Sequence, residues 1–263
     1  MWIDAHNHLQ DPRQAAPADG IVAALRAAGI DGCVVNGSSP GDWEAVADLA
    51  RRFPGFVRPA FGLHPWEVRQ AADGWQEDLL ARLASFPQAG VGEIGLDRWV
   101  AEPRIERQIK AFRWQWEQAV AHDRPISVHC LKAWGLLIDQ LAALPPHPGR
   151  VLVHGFGGSA EVAARLVQHG CYLGFNGYFL RPGKERVVAV FAALPEAHLL
   201  VESDAPDMAP PAGWRTHTFA DPRLNHPANL ARAATELARL RGVGAETLAA
   251  TLAANTRRWL GEP

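Results

Sequence analysis

The sequence predicts a (β/α)8 barrel. Eight short β-branched or apolar runs recur along the 263 residues, and patterns with apolar residues at i, i+3 and i+4 separate them. Each run with its helix takes roughly 30 residues, so that eight such units nearly fill the chain. A doubly wound open sheet is the competing way to arrange the same alternation.

The first run starts near Trp2 and stops at Asn7 and His8, and a helical pattern follows at 18–28. The second starts near Gly32, with its helix at 42–53. The third starts near Val57, ends in Gly62-Leu63-His64-Pro65 and leads to a helix at 75–86. The fourth and fifth start near Gly90 and Ile126, with helices at 103–122 and 134–144. A sixth starts near Val151 and precedes a helix at 159–169, where Ser159 is placed to accept from first-turn N–H groups. The seventh starts near Cys171, with a helix at 184–194, and the eighth near His198. These runs are too short for helices, and most end in Gly, Asn, His or acidic residues, as strands ending in turns or sites do. A Pro-rich stretch at 205–222 then leads to helices at 227–241, signalled by Asn225 and Pro227, and at 245–253. No linker divides the chain, so residues 1–263 are expected to form one domain.

Composition narrows the function. With 48% hydrophobic and 21% charged residues the chain reads as an ordinary soluble protein. The 26 Lys plus Arg against 28 Asp plus Glu leave a formal charge of −2, which excludes a bulk positive field for non-specific nucleic-acid binding. A local basic site is still allowed. The longest apolar stretch, 187–194, is too short to span a bilayer, and Asp4 and His6 fall where a signal peptide would be apolar. No membrane association is expected. Cys33, Cys130 and Cys171 form no C-x-x-C pair, as suits a reduced cytoplasmic protein. Gly155, Gly157 and Gly158 match neither the P-loop nor the dinucleotide fingerprint, which argues against nucleotide-cofactor chemistry.

The ionisable residues follow one positional rule. His6 and His8, at i and i+2 on extended backbone, project to the same side and could grip one metal. Among eleven histidines such a pair alone is weak evidence. Glu93, His129, His154 and Asp204, however, also fall at predicted strand ends. In a parallel barrel all strand C-termini share one rim, so residues far apart in sequence converge there. Four imidazoles and two carboxylates with few basic partners call for cations. Mixed nitrogen and oxygen ligands without thiolate suit Zn²⁺, Mn²⁺ or a similar ion better than Ca²⁺.

His6-Asn7-His8, Gly92-Glu93-Ile94-Gly95-Leu96-Asp97, His129-Cys130, His154 with Phe156, and Glu202-Ser203-Asp204-Ala205-Pro206 together resemble the TatD family of metal-dependent deoxyribonucleases. Gly62-Leu63-His64-Pro65, Asn225-x-Pro227 and Asn255-Thr256-Arg257-Arg258 extend the resemblance, in order, over almost the whole chain. It implies a barrel with a two-metal site that hydrolyses phosphodiesters, often as a DNA exonuclease. It also implies that His6, His8, Glu93 and Asp204 hold one divalent ion (Zn, Mn or Mg) and that Glu93, His129 and His154 hold the other. Glu93 would bridge them. Related amidohydrolases place a carboxylated Lys on the fourth strand, which here has no Lys. Under this reading Asp204 accepts a proton from the attacking water, and His64 contacts the phosphate or leaving group.

Other residues carry competing readings. His122, His147, His169 and His198 read as surface or helix-end residues, while His217 and His226 stay open. Trp43, Trp75, Trp114, Trp116 and Trp259 lie in helical patterns and read as packing. Trp66 and Trp99 follow strands three and four and could stack on a base or sugar. Arg98, Lys132, Arg181, Lys184 and Arg186 could bind phosphates or simply be solvated. Cys130 alternates away from His129 and reads as packing. Leu131, Lys132, Gly155, Gly157 and Asn176 depart from the family's usual residues around the substrate. The resemblance makes DNA or short nucleic-acid fragments the expected substrate, with a hydrolase of small-molecule esters, lactones or amides as the alternative. A non-catalytic metal-binding protein is disfavoured because every expected ligand is present.

Overall fold

The computed structural model describes residues 1–262. Its strands are β1 (Trp2–Asn7), β2 (Ile30–Asn36), β3 (Val57–Phe61), β4 (Gly90–Asp97), β5 (Ile126–Leu131), β6 (Val151–Val153), β7 (Tyr172–Asn176) and β8 (Leu199–Glu202). Between them lie α1 (Ala18–Ala27), α2 (Pro40–Arg52), α3 (Trp75–Ser85), α4 (Ile105–Ala121), α5 (Trp134–Ala143), α6 (Ala160–Gln168) and α7 (Glu185–Ala193). After β8 come α8 (Asn229–Arg241) and α9 (Ala245–Leu260).

Among the described residues the eight strands form one sheet in sequential order, each parallel to the next. A doubly wound sheet would break that order at a switch point, so the barrel expectation holds. Side chains on both strand faces are buried, as a parallel sheet wrapped by helices requires, and β1, β4 and β8 are buried throughout. The seam from β8 back to β1 is made by two backbone bonds, His8 N–H to the Ala205 carbonyl (2.7 Å) and Asp204 N–H to the His6 carbonyl (2.9 Å). The buried Asp4 carboxylate reinforces it by accepting from the Ser203 amide (2.9 Å) and hydroxyl (2.6 Å). The barrel therefore closes between the segments that carry His6, His8 and Asp204.

Local chemistry sets the helix ends. Ser159 Oγ accepts from the Val162 amide (3.3 Å) to start α6, as its position predicts. Gly242 and Gly261, at φ 71° and 73°, end α8 and α9 in the left-handed conformation. α9 outruns the expected 245–253. Its polar Asn255-Thr256 segment does not stop the helix, because Asn255 Nδ2 donates to the Leu199 carbonyl (3.0 Å) and Thr256 Oγ1 to the Leu252 carbonyl (2.8 Å).

That extension delivers Trp259. Read from the sequence as outer packing, it instead enters a cluster inside the barrel with Ala5, Val34, Ala60, Leu152 and Leu200. Its indole N–H faces the carbonyls of Ile126 (3.3 Å) and Arg150 (3.2 Å), at the N-terminal ends of β5 and β6, and so plugs the floor opposite the rim where the strands end. Trp259→Ala should cost about 3–5 kcal/mol. Equilibrium denaturation checks this, and a loss below about 1 kcal/mol would rule out the plug. Trp43 and Trp116 are buried, and Trp75 packs edge-on against Trp114. His147 is a correction: it is buried rather than at the surface, its Nε2 2.9 Å from the Arg124 carbonyl. Among the described residues no helix is long and apolar enough to cross a membrane.

Candidate metal centre

The six expected ligands converge at the C-terminal mouth of the barrel, but not all from strand ends. β4 runs four residues past Glu93 to Asp97, keeping register with β5 through Gly95 opposite His129. Glu93 is therefore a mid-strand residue. Gly95 permits this pairing: at φ 158°, a Cβ there would overlap the His129 carbonyl. His6 lies within β1 and His129 within β5, while His8, His154 and Asp204 follow the ends of β1, β6 and β8.

Two constellations share Glu93. Its Oε2 lies 3.4 Å from His6 Nε2 and 3.3 Å from His8 Nε2, and Asp204 Oδ1 lies 3.6 Å from each of those nitrogens. The two imidazole Nε2 atoms are 3.3 Å apart. Ligands about 2.1 Å from a tetrahedral ion stand roughly 3.4 Å from one another, so these four atoms already outline a coordination polyhedron. On the other side Glu93 Oε1 lies 3.1 Å from His129 Nδ1 and 2.7 Å from His154 Nε2, with 3.4 Å between those nitrogens. Three donors there could hold a second ion.

The outer ring nitrogens sort the histidines by role. His8 Nδ1 is 2.8 Å from the Asn36 carbonyl and so carries a proton there, which leaves Nε2 as the atom that faces Glu93 and Asp204. His129 Nε2 meets the Asp97 carboxylate at 2.9 Å, which leaves Nδ1 free. His6 Nδ1 rests on Ser127 Oγ (2.7 Å), and His154 Nδ1 faces Glu202 Oε1 at 3.7 Å. His64 differs. Its Nδ1 accepts from the Trp66 amide (3.2 Å), so the neutral ring carries its proton on Nε2, 3.2 Å from Glu93 Oε1. A ring in that tautomer donates into the site and cannot ligate through Nε2.

Asp97, Glu202, Ser127 and Asn36 were not assigned from the sequence. Partners of this kind fix ligand tautomer and orientation. Asp97 and Glu202 stand within quoted motifs. Ser127 lies two residues before His129, on the same inner face of β5, so alternation could have found it.

Within the site the carboxylates and most of the imidazoles hold one another in their charged forms. Burial would raise the Glu93 carboxyl, yet His154, His64 and His129 hold it well below its usual value. Burial would lower His8, but bonding to Asp204 and Glu93 raises it well above the ordinary imidazole value. Burial brings His6 down to about 4 and also lowers His64. The centre opens into a cavity of about 810 Å³, with Lys132, Lys184 and Trp66 in its wall. Arg181 is engaged by Tyr178, 3.7 Å from the ring centroid, and Arg98 and Arg186 are exposed outside this wall. Cys130 is buried in the core, as expected.

His217 and His226 stack on each other with ring centroids 5.0 Å apart, and the Phe219 ring lies 4.7 Å from His226. Burial and the neighbouring His217 push His226 down to about 4. The unfolded chain takes up this proton below its ordinary value near 6.5, and the folded chain only near 4. Stability from His226 is thus complete above pH 6.5 and is lost as pH falls to about 4. His226→Gln should flatten that part of the acid limb in denaturant midpoints taken across the range. An unchanged slope would contradict it.

The TatD-related DNase family profile matches residues 3–261. The chain is 32% identical over 260 residues to the uncharacterized metal-dependent hydrolase YjjV of Escherichia coli K12, covering 97% of this chain and 96% of that protein. It is also 32% identical over 269 residues to the 3'-5' ssDNA/RNA exonuclease TatD of the same organism, covering 98% of each. The crystal structure of Escherichia coli YjjV superposes with a TM-score of 0.89 at 31% identity, covering 100% of this chain and 98% of that one. A TatD-family hydrolase from Entamoeba histolytica shares the fold at a TM-score of 0.83 and 19% identity, covering 98% and 97% of the two chains. The chain belongs to the TatD family of metal-dependent hydrolases.

Proposed function

We propose that this chain, folded as one domain, is a 3'-5' exonuclease that hydrolyses phosphodiester bonds at the ends of single-stranded DNA or RNA with two divalent cations. His6, His8, Glu93 and Asp204 would hold one cation, and Glu93, His129 and His154 the other. The observation that carries this reading is the division of Glu93: Oε2 faces one set of donors and Oε1 the other. The names of the relatives support the substrate class and polarity. Three buried, unpaired cysteines fit a reducing, cytoplasmic setting.

When bound, Zn²⁺, Mn²⁺ or Mg²⁺ acidify water to a nucleophile at neutral pH and neutralise charge on phosphate oxygens. The protein's own groups do the rest. Asp204 presents Oδ1 to His6 and His8, and its other oxygen is left to take the proton of the attacking water. His64, fixed by the Trp66 amide with its Nε2–H directed inward, donates to a phosphate oxygen or the departing oxygen. Burial keeps His64 neutral, so it donates a hydrogen bond without bringing a charge. Lys132 and Lys184 in the cavity wall contact the neighbouring phosphates.

Metal-loaded protein incubated with 3'- or 5'-labelled single-stranded oligonucleotides should release mononucleotides from the 3' end. Hydrolysis confined to small esters or lactones would overturn the substrate class. Tight metal binding with no hydrolysis of any kind would overturn catalysis itself.

A further inference from the structure

Trp66 and Trp99 are the exposed tryptophans at the rim, 53% and 64% accessible. They are held differently. Trp66 donates its indole N–H to Asp97 Oδ2 (2.7 Å), the same oxygen that lies 2.9 Å from His129 Nε2. Its ring meets the His64 ring edge-on, with centroids 4.8 Å apart at 85°, and the His129 ring at 6.0 Å and 71°. The polar atom of the indole is thus used on the protein side, while about half of the residue stays exposed to solvent beside the candidate metal centre. Trp99 is tied to Asp97 Oδ1 through its backbone amide (2.5 Å) rather than its indole, and the Lys132 ammonium sits 4.1 Å from its ring centroid.

Trp66 also stands in the wall between two hollows. One is the central cavity of about 810 Å³, and the other is a cleft of about 410 Å³ lined in part by Arg69, Val100 and Arg104. In that cleft Glu102 is shared between Arg69 (3.6 Å) and Arg104 (3.2 Å), two cations against one acid. A chain leaving the centre on this side crosses the indole and then meets net positive charge.

We propose that Trp66 is the stacking platform for a nucleobase flanking the scissile phosphate, with the Arg69–Arg104 cleft receiving the next stretch of backbone. The subsite rests on the single-strand reading above. A tethered indole has already lost its rotamer freedom, so a base can stack on it with little further ordering of the protein. Stacking uses the π-face common to every base, so the platform favours single strands without selecting sequence.

The test is binding of an uncleavable probe to the Mn²⁺-loaded protein: a fluorescein-labelled, phosphorothioate-linked thymidine octamer, intact or with one abasic residue at either of its two 3'-terminal positions. Fluorescence anisotropy gives Kd. At one of these positions, removal of the base should weaken binding by about 5- to 150-fold. Trp66→Ala should weaken binding of the intact strand similarly, and the two changes together should cost little more than either alone. Trp66→Phe, which keeps a π-face and gives up the N–H, should recover most of the loss. With cleavable strands, KM should rise more than kcat falls.

If Trp66 serves only to position Asp97 and His129, Trp66→Phe will fail as badly as Trp66→Ala, metal content will drop, and intact and abasic strands will weaken equally. That pattern overturns the platform, as does indifference of the wild type to loss of either base. If the protein cleaves no phosphodiester yet binds in a base- and Trp66-dependent way, the nuclease reading falls and the subsite stands. If it binds no strand, both fall.

Discussion

Glu93→Gln is expected to lower hydrolysis by at least about a thousandfold and to deplete both cations together. The substitution keeps the shape of a buried, mid-strand side chain, so the fold should survive it. What changes is charge and lone pairs. In the wild type Oε2 approaches His6 and His8 at 3.4 and 3.3 Å, while Oε1 approaches His129 and His154 at 3.1 and 2.7 Å. An amide presents one neutral oxygen and one NH2 group, so one of the two constellations must face a donor where it had an acceptor. Elemental analysis of the purified variant, with circular dichroism to verify folding, decides the matter. A full metal complement in Glu93→Gln would show that this carboxylate joins nothing.

The second large effect belongs to Asp204. Its backbone is left-handed, at φ 51°, a conformation Asn tolerates far better than most residues, which makes Asp204→Asn the fitting substitution. The backbone bond to the His6 carbonyl would remain, and the Glu93, His129 and His154 set would keep its donors. Activity should fall by about 10²- to 10⁴-fold, the usual effect of removing a positioned general base. Metal loss should be smaller than in Glu93→Gln. Single-turnover rates at saturating substrate, read beside metal content, separate the two variants. A rate loss that only mirrors metal loss would leave Asp204 as a ligand with no part in proton transfer.

Much of this site is legible in the sequence because a closed parallel barrel turns strand order into spatial convergence. His6, His8, His154 and Asp204 follow directly from that rule. Glu93 reaches the same place for a different reason: β4 continues to Asp97, and its register with β5 at Gly95 is a tertiary fact that periodicity does not carry. The outer partners were hidden for a similar cause. Asn36 acts through a backbone carbonyl, which has no sequence signature, and Asp97 is known as the partner of His129 only once their 2.9 Å contact is seen. The chemistry of His64 is likewise read from its tautomer, set by the Trp66 amide. At the opposite end Trp259 looked like one more helix-face tryptophan, because nothing in a 3.6-residue period distinguishes packing outside a barrel from plugging its floor.

Stripping the protein with chelator, verifying by elemental analysis that it is metal-free, and titrating Mn²⁺, Zn²⁺ or Mg²⁺ back during oligonucleotide hydrolysis tests cation-dependent catalysis most directly. Activity should vanish on removal and return with the ion, saturating at two equivalents per chain for the best of the three. Undiminished hydrolysis by the verified metal-free protein would contradict it.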